Sequence, residues 1–291
     1  MQPPPLPHQS GHPTFDGGNA PFGVQYTQHG YLPHSGGYPP LNAGDQRQPP
    51  WMPKPDVPYC PPGLEYLTQL NQLIIKQKKE LLEIVTNIET ANKYVCLNTH
   101  GQAVYYCEEE SEFFIRNCLK ASHPFVMHIK DSNGVEVIRV RRRYKCLCLW
   151  QCFSCIDCCQ DELEVEAPIG QLVGYVKQVY HGCSIWYDVK DASGHIVLRI
   201  HGPSYFHCTC FGEDIDFKVL SVDNTTEVGL IKKQWTNIIQ ELYTDADTFG
   251  VSFPMDLHVN MKATLIGAVF LIDFMFFEQN QRNASDRRSQ F

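Results

Sequence analysis

The sequence predicts a mainly β protein, an antiparallel barrel or sandwich with one apolar helix near its C-terminus. Three observations predict this class. From residue 93 onward the chain consists mostly of short β-like runs, such as FVMHIKD, SIWYDVKD and HIVLRIHGP. Turn-forming spacers at 132–134, 191–194 and 223–224 separate these runs. One segment, 263–277, breaks the pattern. Many short strands at this spacing are typical of closed or nearly closed antiparallel sheets.

Segment 263–277, ATLIGAVFLIDFMFF, is the part that breaks the β pattern. Its apolar residues, among them Leu265, Val269 and Phe270, point around all sides of a helix, and Asp273 carries the single charge. Such a helix spans roughly 22 Å, whereas a bilayer core is about 30 Å thick. An all-round apolar helix in a soluble fold is a buried one. We therefore predict a helix at the axis of the β structure, with a membrane span as the alternative, and expect Asp273 near a barrel mouth beside a Lys, Arg or backbone N–H partner.

The N-terminal 62 residues differ in composition from the rest of the chain. They hold 16 of the 20 prolines and eight of the 20 glycines, with few charges. A segment of this composition buries too little apolar surface to offset its ordering entropy. We predict a disordered tail over 1–62, in which PPPLP and QPPWMP are sequences that SH3 or WW domains can read.

The folded domain is predicted to begin at residue 63 and to end near 279, followed by a polar C-terminal tail over 280–291. Leu64, Leu67 and Leu70 fit a short helix, and QLIIKQK (72–78) reads as the first strand.

The net charge of −8 excludes a chain built to coat nucleic acid. The N-terminus has no secretory signal, so disulfides are not expected. GxSxG, Walker A and HExxH sequences are absent, so we expect no enzyme.

A cysteine cluster follows a basic run in the middle of the chain. Six of the 13 cysteines lie within 145–159. Zinc binding through a CxxC spacing lacks a clear second ligand pair, for which only Cys208 and Cys210 are near candidates. Packing as small apolar side chains is the other alternative. We favour acylation, because one acyl chain anchors a protein weakly and a basic run supplies a second membrane signal. The acylation candidates are Cys152, Cys155, Cys158 and Cys159; the membrane-facing basic residues are Arg139, Arg141, Arg142, Arg143 and Lys145.

The stretch DADTFGVSFPMD (245–256) partly matches an EF-hand calcium loop. It has twelve residues, with Asp245, Asp247 and Asp256 at positions 1, 3 and 12 and Gly250 at position 6. Positions 5, 7 and 9 offer no side-chain oxygen, so we expect weak Ca²⁺ binding. The alternative is a turn that enters a strand before the helix.

Four long stretches resemble the phospholipid scramblase family. They are PPGLEYLTQLNQLIIKQKKELLE, ELEVEAPIGQLVGYVKQVYHGC, TDADTFGVSFPMDL and MKATLIGAVFLIDFMFFE, which together span about residues 61–279. The resemblance implies a Tubby-like fold, a twelve-stranded barrel around a central hydrophobic helix. The family is also commonly described with a C-terminal transmembrane helix, which conflicts with that fold.

The resemblance also implies a function. It implies calcium-activated, energy-independent movement of phospholipids between membrane leaflets, with palmitoylated cysteines as the anchor. The expected location is the plasma membrane, with the domain facing the cytoplasm. Family members are linked to nuclear import and DNA binding, and GLIKKQWTNI (229–238), with Lys232 and Lys233, matches the import stretch. A solvated strand face is the other interpretation of these lysines. The alternative function is a membrane-tethered signalling or DNA-binding adaptor.

Overall fold

The computed structural model describes residues 49–78, 91–112, 123–143, 160–182, 184–204, 216–233 and 248–277. Within these ranges, twelve strands form one closed antiparallel barrel. Each strand pairs with its neighbours in sequence, and β1 closes the barrel by pairing with β12. The strands are β1 (Gln72–Lys78), β2 (Lys93–Leu97), β3 (Ala103–Glu110), β4 (Phe125–Lys130), β5 (Glu136–Arg142), β6 (Glu162–Glu166), β7 (Leu172–His181), β8 (Ser184–Asp191), β9 (Ile196–Ser204), β10 (Asp216–Ser221), β11 (Glu227–Lys233) and β12 (Thr248–Ser252).

The strands form where apolar and polar residues alternate, because alternate side chains point into and out of the barrel. In β4, Phe125, Met127 and Ile129 are buried, while the residues between them are partly exposed. The turns follow the predicted spacers. In the β4–β5 turn the Asp131 carboxylate accepts backbone N–H bonds at 2.9 and 3.0 Å, and Gly134 has a φ of 74° that favours glycine. The prediction of a β-rich antiparallel barrel is confirmed.

Helix α1 (Val259–Ile272) occupies the inside of the barrel and continues into a π-helical turn, Asp273–Phe277. Every residue from Met261 to Ile272 is buried, which explains why the helix is apolar on all sides. Gly267 brings the helix close to the wall, because a Cβ there would lie 2.9 Å from Val165 Cγ2. The prediction that this segment forms the barrel axis is confirmed. No helix in the described ranges has the length and apolar character needed to cross a membrane.

Large side chains fill the space between α1 and the strands. Tyr94 meets Phe270 edge to face, with ring centroids 5.1 Å apart, and Phe125 meets Phe274 at 4.3 Å. Beneath the N-terminal end of α1, a 3-10 helix (Glu65–Gln69) covers one end of the barrel with two buried side chains, Tyr66 and Leu67. This is the short helix that the leucine spacing predicted. The interior is thus packed as a core.

The chain contacts the barrel earlier than the predicted tail boundary at residue 62. The Ala103 N–H donates to the Pro50 carbonyl, and the Met52 N–H donates to the Ala103 carbonyl, both at 2.8 Å. Trp51 thereby forms a bridge to β3, and Met52 packs against the core. Residues 49–62 therefore belong with the barrel, including most of the QPPWMP sequence. The predicted tail over 1–48 and the C-terminal tail over 280–291 lie outside the described residues.

Candidate functional site

The antiparallel order sorts the connections between strands into two ends of the barrel. At one end, which we call the short-turn rim, the connections are 98–102, 131–135, 167–171, 192–195 and 222–226, and 253–258 leads into α1. At the other end, the long-connection rim, the connections are 79–92, 111–124, 143–161, 182–183, 205–215 and 234–247. Since α1 starts at the short-turn rim and its last turn meets Tyr94 and Phe125, the helix ends near the long-connection rim. Each segment that holds a predicted site therefore begins or ends at one of these two rims.

Acidic side chains organise the short-turn rim. Asp131, Asp191 and Asp223 each accept backbone N–H bonds within their own turn, and Glu166 accepts the Gly170 N–H at 3.0 Å. Hydrogen bonds from Ser221 and Thr225 lower the pKa of Asp223 to about 2. The turn chemistry thus places a series of carboxylates on this rim.

The cysteine cluster lies in the connection 143–161, which leaves and rejoins the barrel at the long-connection rim. Cys152, Cys155, Cys158 and Cys159 are outside the described residues, as is Lys145. Acylation therefore stays a prediction. The free cysteines that the structure describes are Cys60, Cys96 and Cys107, of which the last two face each other inside the barrel at an Sγ–Sγ distance of 3.5 Å.

Arg142, predicted to face the membrane, instead points into the barrel wall. It is 3% exposed, and its guanidinium donates to Asp161 Oδ1 at 2.7 and 3.2 Å. The prediction was wrong for this residue, because the strand alternation turns it inward between two outward neighbours. Arg143 remains outside, with a 70% exposed side chain whose Nη2 lies 2.6 Å from Glu164 Oε1.

The other described arginines of the basic run are paired with carboxylates on the outer wall. Arg139 donates to both carboxylate oxygens of Glu136, at 2.8 and 2.7 Å. Arg141 lies 3.5 Å from Glu166. Glu136 lies on β5 itself, three residues before Arg139, whereas Glu166 is distant in sequence and adjacent to Arg141 because β5 pairs with β6. The basic run is therefore largely balanced by acidic neighbours, which reduces its attraction to an anionic surface.

The calcium candidate 245–256 contains a strand of the barrel. Residues Thr248–Ser252 form β12 and pair on both sides, with β1 and β11. An EF-hand loop instead wraps these positions around the ion. Asp256 is exposed in the turn beyond the short-turn end of β12, about 13 Å or more along the strand from Thr248. Asp245 and Asp247 lie outside the described residues. The stretch therefore resembles an EF-hand in its residue types. Its described part forms a strand with a turn beside it, as in the alternative interpretation.

Lys232 and Lys233 end β11 at the long-connection rim. The Lys232 ammonium lies 3.3 Å from Asp216 on the neighbouring strand. The Lys233 ammonium lies 5.7 Å from the ring centroid of Phe249. Both lysines are half-buried on a paired strand. Both lysines therefore lie on the face of a strand, and a role in nuclear import stays a prediction.

Asp273 is 3% exposed and accepts a hydrogen bond from the Tyr94 hydroxyl at 2.8 Å. The Tyr94 phenol is therefore one partner of this carboxylate, and a Lys, Arg or backbone N–H partner stays a prediction. Close by, the ring of His123 meets Phe274 edge to face and its Nε2 lies 2.9 Å from Glu109 Oε1. Sequence reasoning missed this buried pair, because the two residues lie on either side of a connection.

Lys262 is a functional candidate that sequence reasoning also missed. Its side chain is fully buried, and its ammonium donates to the carbonyls of Leu67, Leu70 and Met255 at 2.8–2.9 Å. Burial lowers the pKa of Lys262, while the charge of Asp256 raises it. The ammonium joins α1 to the 3-10 helix and to the turn after β12. The one available signal was a lysine at the start of an otherwise apolar helix.

A second missed feature is a lysine cluster, Lys76, Lys78 and Lys93, at the long-connection rim. Lys78 and Lys93 are direct partners on β1 and β2, and Lys76 lies on the same outer face two residues away. Burial, together with a smaller effect of the Lys78 charge, lowers the pKa of Lys76 to about 8. Burial and the charge of Lys93 also lower the pKa of Lys78. Three positive charges therefore lie close together on the outer wall.

The described part of the chain contains no group of three or more His, Cys, Asp or Glu side chains placed to hold a metal ion.

The sequence model of the Scramblase family matches residues 52–279. Phospholipid scramblase 2 of Bos taurus is 48% identical over 239 residues, which cover 82% of this chain and 79% of that protein. Phospholipid scramblase 1 of Homo sapiens is 47% identical over 230 residues, covering 79% of this chain and 70% of that protein. The match to a solved Arabidopsis thaliana structure covers 69% of this chain and 91% of that chain, with a TM-score of 0.37 and 11% identity.

Proposed function

Because this chain belongs to the Scramblase family, we propose that it moves phospholipids in both directions between membrane leaflets without ATP. The observation that carries the proposal is the match over 52–279, which covers nearly all of the described barrel and its helix. Proteins named phospholipid scramblase share 47–48% identity with this chain.

Lipid flux in liposomes tests the proposal directly. The purified full-length chain is reconstituted into liposomes that carry a fluorescent phospholipid in both leaflets, and a membrane-impermeant reagent bleaches the outer leaflet. We expect bleaching to pass the one-half level that empty liposomes reach, in the presence of Ca²⁺ and without ATP. Bleaching that stops at one half, with and without Ca²⁺, contradicts lipid movement and favours the adaptor function.

Membrane anchoring is proposed to come from acylated cysteines of 152–159, because α1 is buried and is not free to serve as an anchor. Replacing Cys155, Cys158 and Cys159 with Ala is expected to shift the full-length chain from the membrane to soluble or nuclear fractions. Alanine at the buried Cys96 is the control that keeps its membrane fraction. Unchanged retention of the triple variant, or a wild type without a hydroxylamine-sensitive label, contradicts acylation there.

Calcium activation is proposed to depend on the acidic residues of 245–256. Because the paired strand β12 separates Asp256 from the residues before Thr248, the two ends of the stretch are tested separately. We expect Asp245→Ala and Asp247→Ala to weaken Ca²⁺ binding in titration calorimetry more than Asp256→Ala does. Isotherms of Asp245→Ala and Asp247→Ala that match the wild type exclude these residues as ligands.

A further inference from the structure

Buried polar side chains are concentrated at one end of the barrel. Of the twelve buried polar or charged residues in the described ranges, eight lie where the strands reach the long-connection rim. One of the eight is Asp273, in the π-helical turn after α1. The other seven lie within or just before the ends of β1 to β7, on the inward-facing side of the sheet. We call these seven the polar arc: Gln77, Asn92, Glu109, His123, Arg142, Asp161 and Gln178.

A first network of hydrogen bonds links the polar arc from β1 to β4. The Gln77 amide donates to Asn92 Oδ1 at 2.7 Å. The backbone and side-chain N–H groups of Asn92 both donate to Glu109 Oε2 at 2.8 Å. The other carboxylate oxygen of Glu109 lies 2.9 Å from His123 Nε2. The ends of four neighbouring strands are therefore joined through polar side chains.

A second network links the polar arc from β5 to β7. The Arg142 guanidinium donates to Asp161 Oδ1 at 2.7 and 3.2 Å. Gln178 contacts the backbone of Asp161 twice, since its N–H donates to the Asp161 carbonyl at 2.6 Å and its side-chain oxygen accepts the Asp161 N–H at 3.1 Å. Hydrogen bonds between neighbouring strands thus hold this side of the arc as well.

The level beneath the polar arc is apolar and aromatic. Two residues deeper, the inward side chains of the same seven strands are Ile75, Tyr94, Cys107, Phe125, Val140, Leu163 and Val176, all buried. Opening the arc exchanges its hydrogen bonds for bonds to water, so each exchanged bond changes the free energy little. Opening the level beneath exposes apolar surface, at a cost that grows with the exposed area. The two levels therefore differ in how easily they open.

The helix changes its hydrogen-bonding pattern at the level of the polar arc. α1 ends at Ile272, and Asp273–Phe277 form the π-helical turn, a rare geometry that often occurs at functional sites. The Asp273 carboxylate accepts the Tyr94 hydroxyl at 2.8 Å. The Phe274 ring meets the His123 ring edge to face, with centroids 5.2 Å apart. The π-helical turn therefore contacts the arc directly.

We infer that the polar arc and the π-helical turn form one conformational unit, which opens to water while the apolar level beneath it stays closed. In the open state His123 separates from Phe274 and the π-helical turn is released, whereas the rest of α1 keeps its place. The inference goes beyond the proposed function and does not depend on it, because it concerns the barrel in solution. Lipid flux can therefore fail while this opening is observed, and the reverse.

Native-state hydrogen exchange of the full-length chain tests the inference, at a pH where the opening equilibrium determines the exchange rate. The reporters of the arc are the amides of Glu109 and Gln178, which donate to the carbonyls of Asn92 and Asp161. We expect them to share one opening free energy with the amides of 273–277. All of these amides are expected to exchange at least roughly tenfold faster than the amides of 265–270 in α1. Equal exchange in arc and α1, or separate opening free energies for Glu109 and Gln178, would overturn the inference.

One variant in each network tests whether the unit opens as a whole. Gln77→Leu and Gln178→Leu each leave a buried partner unpaired in the closed state only. Each is therefore expected to speed exchange at residues 109, 178 and 273–277 together, by roughly tenfold. Faster exchange confined to the network that carries the substitution, or unchanged exchange at 273–277, would show that the parts open independently and contradict the inference.

Ile266→Val is the matched control beneath the arc, because Ile266 is fully buried on α1. The lost methylene destabilises the closed and the open unit equally relative to the unfolded chain. We expect exchange of the 265–270 amides to speed by about fivefold and exchange at residues 109, 178 and 273–277 to change by about twofold or less. If the arc amides instead speed as much as those of α1, they exchange only through unfolding of the whole barrel, and the inference is overturned.

Discussion

Lys262 shows how one buried charge joins three parts of the chain. All three hydrogens of its ammonium meet backbone carbonyls, those of Leu67, Leu70 and Met255. The ring of Phe253 lies 5.2 Å from the ammonium and adds a cation–π contact. These contacts offset a position that is otherwise unfavourable, because the N-terminal end of a helix repels positive charge. Lys262 therefore acts as the link between α1 and the covered end of the barrel.

Lys262→Met is expected to destabilise the protein by about 3 kcal/mol or more, because it leaves buried carbonyls without a donor. The control Lys190→Met removes a partly exposed lysine and is expected to change stability by about 0.5 kcal/mol or less. Urea unfolding of the full chain, followed by circular dichroism, measures both. Similar midpoints for the two variants would contradict the role of Lys262.

Glu109 makes stability depend on pH in a defined direction. Burial raises its pKa, but hydrogen bonds from His123, Ser111 and the Asn92 backbone outweigh burial and hold the pKa below its usual value. A depressed carboxyl pKa contributes stability above the unfolded-state value, near 4.3, and loses it as the pH falls through the folded-state pKa. We expect Glu109→Gln to be less stable than wild type at pH 7. The difference is expected to shrink below about pH 4.3 in thermal unfolding; a constant difference from pH 7 to pH 3 is the contrary result.

At the scale of elements, α1 is the feature that the sequence predicted best. Its length, its all-round apolarity and its single acidic residue all indicated burial, and these are properties of a local segment. The same reasoning failed where the answer lay in a partner strand. Arg142 meets Asp161, just before β6, and Arg141 meets Glu166 only because β5 pairs with β6. The Arg139–Glu136 pair, by contrast, is local to β5. The register of the cross-strand pairs depends on the whole sheet, so a local sequence pattern did not reveal it.

In the calcium stretch, composition suggested a compact loop, and the described part of it is a strand followed by a turn; Ca²⁺ binding there stays a prediction. Thr248–Ser252 has few polar ligands and belongs to a strand that closes the barrel between β1 and β11. Phe249 and Val251 are buried because they fill the interior. A strand with polar ends therefore also explains the spacing of the aspartates, in addition to any role in binding Ca²⁺.

Phe270→Asp is expected to prevent cooperative folding of the barrel. Phe270 is fully buried against Tyr94, and the substitution combines the loss of a large side chain, about 3–5 kcal/mol, with a buried charge. Val135→Asp, in the β4–β5 turn with 57% exposure, is the control and is expected to fold normally. Circular dichroism melts without detergent distinguish the two. A normal melt for Phe270→Asp would mean that α1 is not part of the core.

At the scale of the whole molecule, the strand order sorts the connections of the barrel into two ends. Tight turns with acidic caps and the 3-10 helix close one rim. The connections that contain the predicted cysteine cluster and the first two predicted calcium ligands meet at the other. The sequence predicted the barrel, its axis and the candidate segments, but their placement on one rim required the strand order. Asp256 is the exception among the calcium candidates, since it lies at the short-turn rim.

The central claim is that α1 stays inside the barrel while the protein acts on membranes, and a disulfide tests it most directly. A Cβ at Gly267 lies 2.9 Å from Val165 Cγ2, which suits a disulfide in Gly267→Cys/Val165→Cys. The full-length double variant is oxidised in detergent-free solution and on vesicles that show lipid flux, with each single variant as the control for native cysteines. We predict that peptide mapping finds the 165–267 disulfide at equal yield in both states. Its formation in solution and absence on flux-active vesicles would contradict the claim and show that α1 leaves the barrel at the membrane.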